Sequence, residues 1–577
     1  MRADTTSTLP PRLMAALNDL VADWEDGVRL ARLWAGDASL WTGADEGAWL
    51  GWLRITTDQL ATTDQLTGVS PTRLADDFDD ALLLGMGGSS LCPDVLRESF
   101  DPVPGAPRLH VLDSTDPAQI RACEGRLALD RTLVIVSSKS GTTLESKLLF
   151  QYFFERIQTC VAPGRAGERF VVVTDPGSEL EAVATERRFR EVFHGAPSIG
   201  GRYSALSNFG MVPAAVIGLD TEALLQRADD MRAQCDEHVP VRLNPGAMLG
   251  LTLGVAAQAG RDKLTFVASP TVTRFGDWVE QLVAESTGKQ GRGVIPVTGE
   301  ALGEPESYAR DRIFVYLRDE QGLDPRHDTA LERLAEAGHP VLRISMADRY
   351  DLGAEFFRWE FATAVLGAVL RVNPFDQPGV EASKVEARKL TRAFEVAGAL
   401  PTESPLAVDQ PAGIAVYADA ANQAALGHAG SSSVAEIVAA HCARLSEGDY
   451  FAVLAYIEMN ETHTMQLQEL RHSVRDATGN ATCIGFGPRY LHSTGQIHKA
   501  GPNSGVFLQI TCDVGVDIPV PERALTFGVV EAAQARGDLA VLGVHGRRAI
   551  RLHIAGDVRQ GLQSVTAMVK QGVESRS

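Results

Sequence analysis

The chain has 577 residues, of which 45% are hydrophobic and 22% charged, so it is long enough for several hydrophobic cores. This balance is typical of a globular enzyme and excludes a mostly disordered chain. The formal net charge of −20 makes nucleic acid and membranes poor partners, because such a surface repels phosphodiesters and anionic lipids.

The seven cysteines are scattered along the chain and never form a CxxC pair. We therefore expect no disulfide framework, no thiolate zinc site and a reducing, cytoplasmic location. The N-terminus lacks a basic segment followed by an apolar stretch, and no apolar window approaches the ~18 residues of a membrane span. Neither an export signal nor a membrane span is expected.

The sequence pattern predicts a helical segment first and alternating strands and helices after it. Residues 11–60 are rich in Leu, Ala and Trp and predict helices that wrap the protein. Farther along, short apolar runs alternate with helical patterns, which is typical of buried parallel strands in βα units. The predicted strands lie at 81–87, 108–113, 132–138 and 170–175, then at 263–269, 312–318 and 340–346. Two doubly wound α/β domains are therefore predicted.

A loose, proline-containing stretch at 400–413 is predicted as a linker. Beyond it, apolar runs at 450–458, 481–487, 504–511 and 539–544 predict the strands of a third α/β domain. The predicted organisation is an N-terminal helical segment 1–62, parallel-sheet domains 63–235 and 236–400, and a C-terminal α/β domain 401–577.

Two turns rich in hydrogen-bond donors follow predicted strands. GMGGSS at 85–90 contains Gly88 and Ser89 and can bring backbone amides close to an anion, with a bare tight turn as the alternative. SKSGTT at 138–143 sets four hydroxyl residues and a lysine at a strand's carboxyl end. Phosphate binding explains this density better than a helix cap does. The first turn is not GxGxxG, so no dinucleotide site is expected.

Three further motifs follow in the chain. GGRYS at 200–204 brings Arg202 close to glycines, with a surface arginine after a turn as the alternative. A helix predicted over 276–288 sets Gln281 and Glu285 on one face, with a surface pair of Glu285 and Lys289 as the alternative. The proline-rich turn of FDQPGVEASK, 375–384, opens a predicted helix that contains Lys384.

Taken together and in this order, the five motifs resemble those of the phosphoglucose isomerase (glucose-6-phosphate isomerase) family, which is built from two sugar isomerase (SIS) domains. The resemblance spans about residues 75–395. It implies an α/β fold of two doubly wound parallel-sheet SIS domains, to which this chain adds the N-terminal and C-terminal segments. It also implies interconversion of glucose 6-phosphate and fructose 6-phosphate through a cis-enediolate in glycolysis and gluconeogenesis, by a homodimer, without metal or cofactor.

Residue by residue, the resemblance implies Glu285 as the base that moves a proton between C2 and C1. It implies Arg202 beside the developing negative charge and Lys384 at the ring oxygen. Contacts to a small-molecule sugar phosphate are implied for a further set: Gly88, Ser89, Ser138, Lys139 (through its backbone), Ser140, Thr143, Gly201, Gln281 and Gln377.

The sequence departs from the family in two ways. The family's ring-opening histidine has no counterpart in 299–312, and the chain runs on for nearly 200 residues beyond Lys384. That continuation resembles the isomerase halves of transaldolase–isomerase fusions, through LHSTGQIHKAGPN at 491–503. No room remains for a transaldolase barrel of ~250 residues, so the isomerase alone is predicted. His498 is the candidate ring-opening acid. A structural loop is the preferred interpretation, because nothing in the sequence places His498 near Glu285.

Two other functions stay open. A non-catalytic SIS-type sugar-phosphate sensor needs the hydroxyl cluster but not Glu285, Arg202 and Lys384 together, so their joint presence favours catalysis. An isomerase that also acts on mannose 6-phosphate would use the same enediolate, reprotonated on its other face. The histidines lack metal-ligand spacing, and no metal is expected.

Overall fold

The computed structural model describes residues 5–426 and 433–575. As far as they are described, the residues group into two compact units. The first unit comprises Met1–Asp113, Cys123–Thr287 and Ile313–Asp376, and the second comprises Ser114–Ala122, Gly288–Arg312 and Gln377–Ser577. The chain therefore enters the second unit three times. The predicted domain boundaries at 62, 235 and 400 stay a prediction.

The strands of the described ranges are β1 (Thr5–Thr8), β2 (Asp80–Leu84), β3 (Arg108–Leu112), β4 (Thr132–Ser137), β5 (Phe170–Thr174), β6 (Glu191–His194), β7 (Lys263–Ala268), β8 (Ile295–Val297), β9 (Arg312–Asp319), β10 (Val341–Met346), β11 (Ala407–Asp409), β12 (Ile414–Tyr417), β13 (Tyr450–Tyr456), β14 (Ala481–Phe486), β15 (Gly505–Cys512) and β16 (Arg548–Ile554).

The α-helices of the same ranges are α1 (Pro11–Asp26), α2 (Arg29–Trp34), α3 (Ile55–Leu60), α4 (Pro71–Leu74), α5 (Leu91–Ser99), α6 (Pro117–Glu124), α7 (Leu144–Gln158), α8 (Glu179–Glu186), α9 (Asn208–Val216), α10 (Thr221–Gln234), α11 (Pro245–Gln258), α12 (Phe275–Thr287), α13 (Pro325–Glu336), α14 (Leu352–Leu370), α15 (Pro378–Ala397), α16 (Ala420–Ala425), α17 (Val434–Cys442), α18 (Glu461–Thr478), α19 (Gly495–Ala500), α20 (Phe527–Val544) and α21 (Val558–Glu574). None of them is long and apolar enough to cross a lipid bilayer.

The first sheet of the first unit is parallel throughout, in the order β3-β2-β4-β5-β6. Every residue of β2, β4 and β5 is buried, which explains their nearly continuous apolar sequences. The four strands predicted for this series are confirmed as β2 to β5. Strand β6 was not predicted, because its four residues, EVFH, form no apolar run.

The second sheet of this unit contains β7, β9 and β10, which confirm the strands predicted at 263–269, 312–318 and 340–346. Strand β10 pairs in parallel with β9, and β1 pairs antiparallel with β10. Strand β1, with the sequence TTST, is fully exposed. It was not predicted, since it has no apolar residue. The predicted helix after it is confirmed as α1, whose buried Leu13, Leu17, Val21 and Trp24 recur at helical spacing.

The sheet of the second unit has the order β11-β12-β16-β15-β13-β14. Strands β16, β15, β13 and β14 are parallel neighbours, and β12 and β11 add an antiparallel edge. The strands predicted at 450–458, 481–487 and 504–511 are confirmed as β13, β14 and β15. Strand β11 lies inside the stretch that we predicted as a linker. The α/β class is thus confirmed in both units.

The strand predicted at 539–544 is wrong, because those residues end helix α20. Helix α20 is buried on almost every side, so its apolar residues lack the one-sided spacing that marks a surface helix. A short apolar run of this kind does not distinguish a buried helix from a strand. Gly546, with φ of +64°, reverses the chain after the helix, and the edge of the parallel set is β16.

Candidate active site

The two donor-rich turns of the first unit lie at one edge of the first sheet. Strands β2 and β4 are neighbours, but β2 leads to β3 on one side and β4 leads to β5 on the other. Parallel sheets form a crevice outside the carboxyl ends of two such strands, where ligands commonly bind. Gly85 directly follows β2, and Ser138 directly follows β4. The topology therefore brings GMGGSS and SKSGTT to this crevice.

The hydroxyl groups of the SKSGTT turn form two pairs. The buried Ser138 donates from Oγ to Thr143 Oγ1 over 3.4 Å, and the Ser140 and Thr142 hydroxyls lie 2.8 Å apart. Thr143 is the N-cap residue of α7, yet its side chain makes no capping hydrogen bond. Helix N-termini favour anions, so these hydroxyls are well placed to bind a phosphate.

The ammonium group of Lys139 has a partner of its own in the first unit. Its Nζ forms an ion pair with Asp175 and donates to the Pro197 carbonyl at 3.4 Å. The side chain is thus engaged by the protein, which agrees with a contribution through the backbone. The role of Asp175 was not predicted, since it follows β5, outside the five motifs.

The GGSS and GGRYS turns approach each other at the backbone level. A Cβ atom on Gly88 would lie 1.9 Å from the carbonyl oxygen of Gly201, so only glycine fits at position 88. A Cβ on Gly201 would meet no atom within 4 Å, and this residue is exposed. Ser89 is half-buried beside Gly88. The two turns therefore form one surface, and helix α12 packs against both.

Helix α12 positions the candidate base. Glu285 lies in its last turn and is only 7% exposed. Gln281, one turn earlier on the same face, donates from Nε2 to Glu285 Oε2 over 3.1 Å. Arg202 Nη1 lies 3.2 Å from the other oxygen, Oε1. The carboxylate is therefore oriented on both oxygens, by one neutral and one cationic group.

The guanidinium of Arg202 is fixed by backbone carbonyls rather than by a second acid. Its Nη2 donates to the carbonyl of Pro374 over 3.2 Å and to that of Asp376 over 3.1 Å. Its Nε makes no hydrogen bond within the described residues, although the residue is only 3% exposed. A buried donor without a partner is costly, so Arg202 has hydrogen-bonding capacity left for a ligand. The motif at 375–384 predicted the start of a helix, and this role of the backbone just before it was not predicted.

Gln377, Lys384 and His498 belong to the second unit. Gln377 is the exposed N-cap residue of α15, and Lys384 is exposed on the second turn of that helix. His498 lies on α19 and is 2% exposed, with its Nδ1 2.9 Å from the hydroxyl of Tyr450. Burial holds the pKa of His498 well below its usual value, and the cations Lys499 and Arg547 lower this pKa further.

The motif around His498 packs against helix α15 within the second unit. Gly379 of α15 donates its amide to Gln496 Oε1 at 2.8 Å. Lys499 pairs with Asp538 Oδ1 at 2.6 Å, and Ser383, which precedes Lys384, donates to the same oxygen at 3.3 Å. These contacts give LHSTGQIHKAGPN a structural role in supporting the helix that carries Lys384.

Within residues 5–426 and 433–575, no three His, Cys, Asp or Glu side chains are grouped so that they could hold a metal ion. The first unit holds a carboxylate, an arginine and an amide in mutual contact, and it sets a group of hydroxyls at the carboxyl end of β4. This set can move a proton next to a carbonyl, stabilise an oxyanion and bind an anion.

Residues 67–300 match the family described as phosphoglucose isomerase. The range includes Ser89, Ser138, Arg202 and Glu285, and the residues from Gln377 onward lie beyond it. Among curated proteins, the glucose-6-phosphate isomerase of Rubrobacter xylanophilus is 30% identical over 362 residues, which cover 54% of this chain and 82% of that protein. That of Thermus thermophilus is 29% identical, over 60% of this chain and 91% of that protein. A Synechococcus glucose-6-phosphate isomerase is matched over 66% of its own length, at 30% identity.

Two solved structures have a similar fold. A hypothetical protein from Thermus thermophilus superposes with a TM-score of 0.57 at 26% identity, over 67% of this chain and 99% of that one. A glucose-6-phosphate isomerase from Chlamydia trachomatis superposes with a TM-score of 0.54, over 69% of this chain and 90% of that one. Its identity of 19% makes this second likeness one of fold alone.

Proposed function

The chain belongs to the phosphoglucose isomerase family, and from this premise we propose that it interconverts glucose 6-phosphate and fructose 6-phosphate. The observation that carries the proposal is the buried carboxylate of Glu285, held between Arg202 and Gln281. Proton abstraction next to a carbonyl needs one base at the carbon and one cation at the oxygen that becomes negative. The three side chains supply both.

In the proposed mechanism, Glu285 takes the C2 proton from open-chain glucose 6-phosphate. The C2–H electron pair forms the C1–C2 double bond of a cis-enediolate, and the carbonyl pair moves onto O1. Arg202 stabilises that negative charge through its fixed donors. The O2 hydroxyl proton then passes to O1, the C2 carbonyl forms, and Glu285 returns its proton to C1, which gives fructose 6-phosphate. Burial of Glu285 supports this role, because a site with little water strengthens the electrostatic interactions among the carboxylate, Arg202 and the developing charge.

We propose that the phosphate binds to Ser89 and to the turn from Ser138 to Thr143. The paired hydroxyls and the N-terminus of α7 support this assignment. Gly88 and Gly201 let the backbone approach the substrate, and Gln281 orients the base. For the second unit, the family resemblance assigns Gln377 to substrate binding and Lys384 to ring opening. A homodimer that acts in the cytoplasm is also part of the proposal.

The test is a coupled assay on fructose 6-phosphate with purified protein that has been treated with a chelator. Turnover in D₂O should place deuterium at C1 of fructose 6-phosphate or C2 of glucose 6-phosphate, because the proton held by Glu285 exchanges with solvent. Binding without turnover would instead support the sugar-phosphate sensor. Deuterated mannose 6-phosphate among the products would extend the proposal to reprotonation on both faces.

A further inference from the structure

The second unit contains a cavity of about 230 Å³ at the carboxyl end of its sheet. Tyr456, which ends β13, and Cys512, which ends β15, both line it. These strands are neighbours, but β13 leads to β14 at one edge and β15 leads to β16 toward the other. The cavity therefore occupies the topological switch point of this sheet, the place where open α/β sheets bind ligands. No predicted site residue lines it.

Two buried polar groups in the cavity wall make no hydrogen bond within the described residues. One is Glu531 Oε1, on a residue 6% exposed, and the other is Arg551 Nε, on a residue 4% exposed. Buried polar atoms in folded proteins almost always have partners, because an unpaired one has lost its hydrogen bonds to water without replacing them. Two such atoms on residues that line one cavity point to a ligand that would pair with both.

Charged side chains line the cavity. Arg536 Nε and Arg551 Nη2 both donate to Glu403 Oε2, each over 2.7 Å. The Arg551 guanidinium also lies over the ring of Tyr417, 4.4 Å from its centroid. Burial, with smaller effects from the nearby carboxylates, raises the pKa of Glu531 well above its usual range. This shift favours the protonated carboxyl, which can both donate a hydrogen bond to a ligand and accept one from it.

We propose that this cavity is a second ligand site, which binds a small hydroxylated carboxylate. The ligand's carboxylate accepts from Arg551 Nε, and one of its hydroxyls pairs with Glu531. The buried Arg551 Nε is a cationic donor, which suits a carboxylate, and the acidic groups around Glu531 disfavour the higher charge of a phosphate dianion. Because a cavity of ~150 Å³ holds a benzene molecule, the space suits an acid of about three to six carbon atoms. The exposed Val514 at the wall gives the site an opening to solvent. This site does not depend on the proposed isomerase activity.

The first test is calorimetric titration of the full chain with D-glycerate and D-gluconate. Two compounds serve as controls. D-Glucose has the hydroxyls but no carboxylate, and inorganic phosphate is an anion without a hydroxylated carbon chain. At least one of the two acids should bind, and glucose should give no heat. Tighter binding of phosphate than of both acids, or no binding of either acid, would overturn the proposal.

Variants then locate the site. Ala532 lines the cavity and is half-buried, so Ala532→Leu fills the space without removing a polar group. Both Ala532→Leu and Arg551→Met should weaken acid binding by about tenfold or more, whereas Glu531→Gln, which keeps the shape and can still pair with a hydroxyl, should keep it. The double variant Ser138→Ala/Thr143→Ala should bind the acid normally. Loss of binding in that double variant, or unchanged binding in Ala532→Leu, would place the ligand elsewhere. Circular dichroism checks that each variant is folded.

Discussion

Glu285 is oriented by partners of two kinds, a cation on one oxygen and an amide on the other. Replacement by glutamine keeps the shape of the side chain and removes the proton acceptor. Turnover of Glu285→Gln should fall by roughly 10²- to 10⁴-fold while the substrate still binds. The measurement is kcat and KM for fructose 6-phosphate.

The matched control is Asp277→Asn, on the same helix, where the carboxylate is partly exposed and paired with Arg274. This variant should retain turnover. Near-normal turnover in Glu285→Gln would remove Glu285 from the mechanism.

The hydroxyls after β4 should act on binding more than on the chemical step. A phosphate far from the reacting carbons is held equally in the ground and transition states. The double variant Ser138→Ala/Thr143→Ala should therefore raise KM more than it lowers kcat. Steady-state kinetics and the affinity for 6-phosphogluconate check this.

Thr159→Ala, at the exposed far end of α7, is the control for the loss of a hydroxyl. Unchanged affinity for 6-phosphogluconate in the double variant would show that the phosphate site lies elsewhere.

At the same scale, the five motifs gave every residue that we propose for catalysis, because each lies in a turn or a helix with a distinctive local sequence. The groups that hold these residues were not predictable. The carbonyls of Pro374 and Asp376 fix Arg202 through the backbone, which any residue type would provide. Asp175 reaches Lys139 from another strand, and no local pattern records such a contact.

The contact between the GGSS and GGRYS turns makes a prediction about these elements. A methyl group at position 88 would overlap the Gly201 carbonyl, so Gly88→Ala must move one of the two turns. We expect a loss of about 3 kcal/mol or more of unfolding free energy, together with loss of activity.

Gly201→Ala is the matched control, since its methyl group meets open space and the fold should persist. Thermal unfolding of both variants compares them. Equal melting temperatures would contradict the close approach of the turns.

Helix α19 makes a second prediction, about His498. Its ring is buried against Tyr450, and its low pKa keeps it neutral at pH 7, which suits a structural group better than an acid. We expect His498→Ala to lower the melting temperature. It should slow the turnover of cyclic glucose 6-phosphate no more than it slows C–H proton exchange on a substrate already in the open-chain form.

The exposed His545 provides the control, as His545→Ala removes a ring without leaving a cavity. A selective slowing of the cyclic substrate by about tenfold or more would instead make His498 the ring-opening acid.

Some helices and strands can be predicted from the sequence more readily than others. Strands such as β2 and β4 were predictable because burial on both faces requires continuous apolar residues. The end of α20 was misassigned for the same reason, since burial all round removes the helical period. Strands β1, β6 and β11 were missed because short or exposed edge strands need no apolar pattern.

For the whole molecule, buried histidines predict how stability depends on pH. His441 lies 3.0 Å from the Phe507 carbonyl through Nε2, and burial, with Arg444 and Arg548, lowers its pKa to about 3. In the unfolded chain, His441 takes up a proton below pH ~6.5, whereas in the folded chain it stays neutral until the pH approaches 3. This stabilising contribution is therefore complete above that pH and decreases as the pH falls toward 3, by ~2 kcal/mol between pH ~6.5 and ~5.

The measurement is the urea midpoint of the full chain at about pH 7 and about pH 5. His441→Asn cannot titrate, so its midpoint should change less with pH than that of the parent chain. The comparison isolates His441 from the other histidines. Equal changes in the two proteins would contradict a neutral buried His441.

The three parallel sheets were predictable from the alternation of strand and helix patterns. The grouping into two units was not, because it depends on contacts between segments far apart in the chain. Glu300, for example, lies in the segment 288–312 of the second unit, far in the chain from the segment 377–577. The arginines around its buried carboxylate are Arg312, Arg471 and Arg475.

The three separate entries of the chain into the second unit have a consequence for biosynthesis. A ribosome completes residues 114–122 and 288–312 long before residues 377–577. The two early segments are therefore synthesised before the residues that they contact in the second unit. Until Arg471 and Arg475 emerge, Glu300 lacks two of its three cations, and Thr115 lacks its hydrogen-bond acceptor Gln534. A gene truncated near codon 400 would leave these groups permanently unmatched. The second unit can therefore complete its folding only after its last segment has been translated. Copying one contiguous stretch of the gene would not transfer this unit whole.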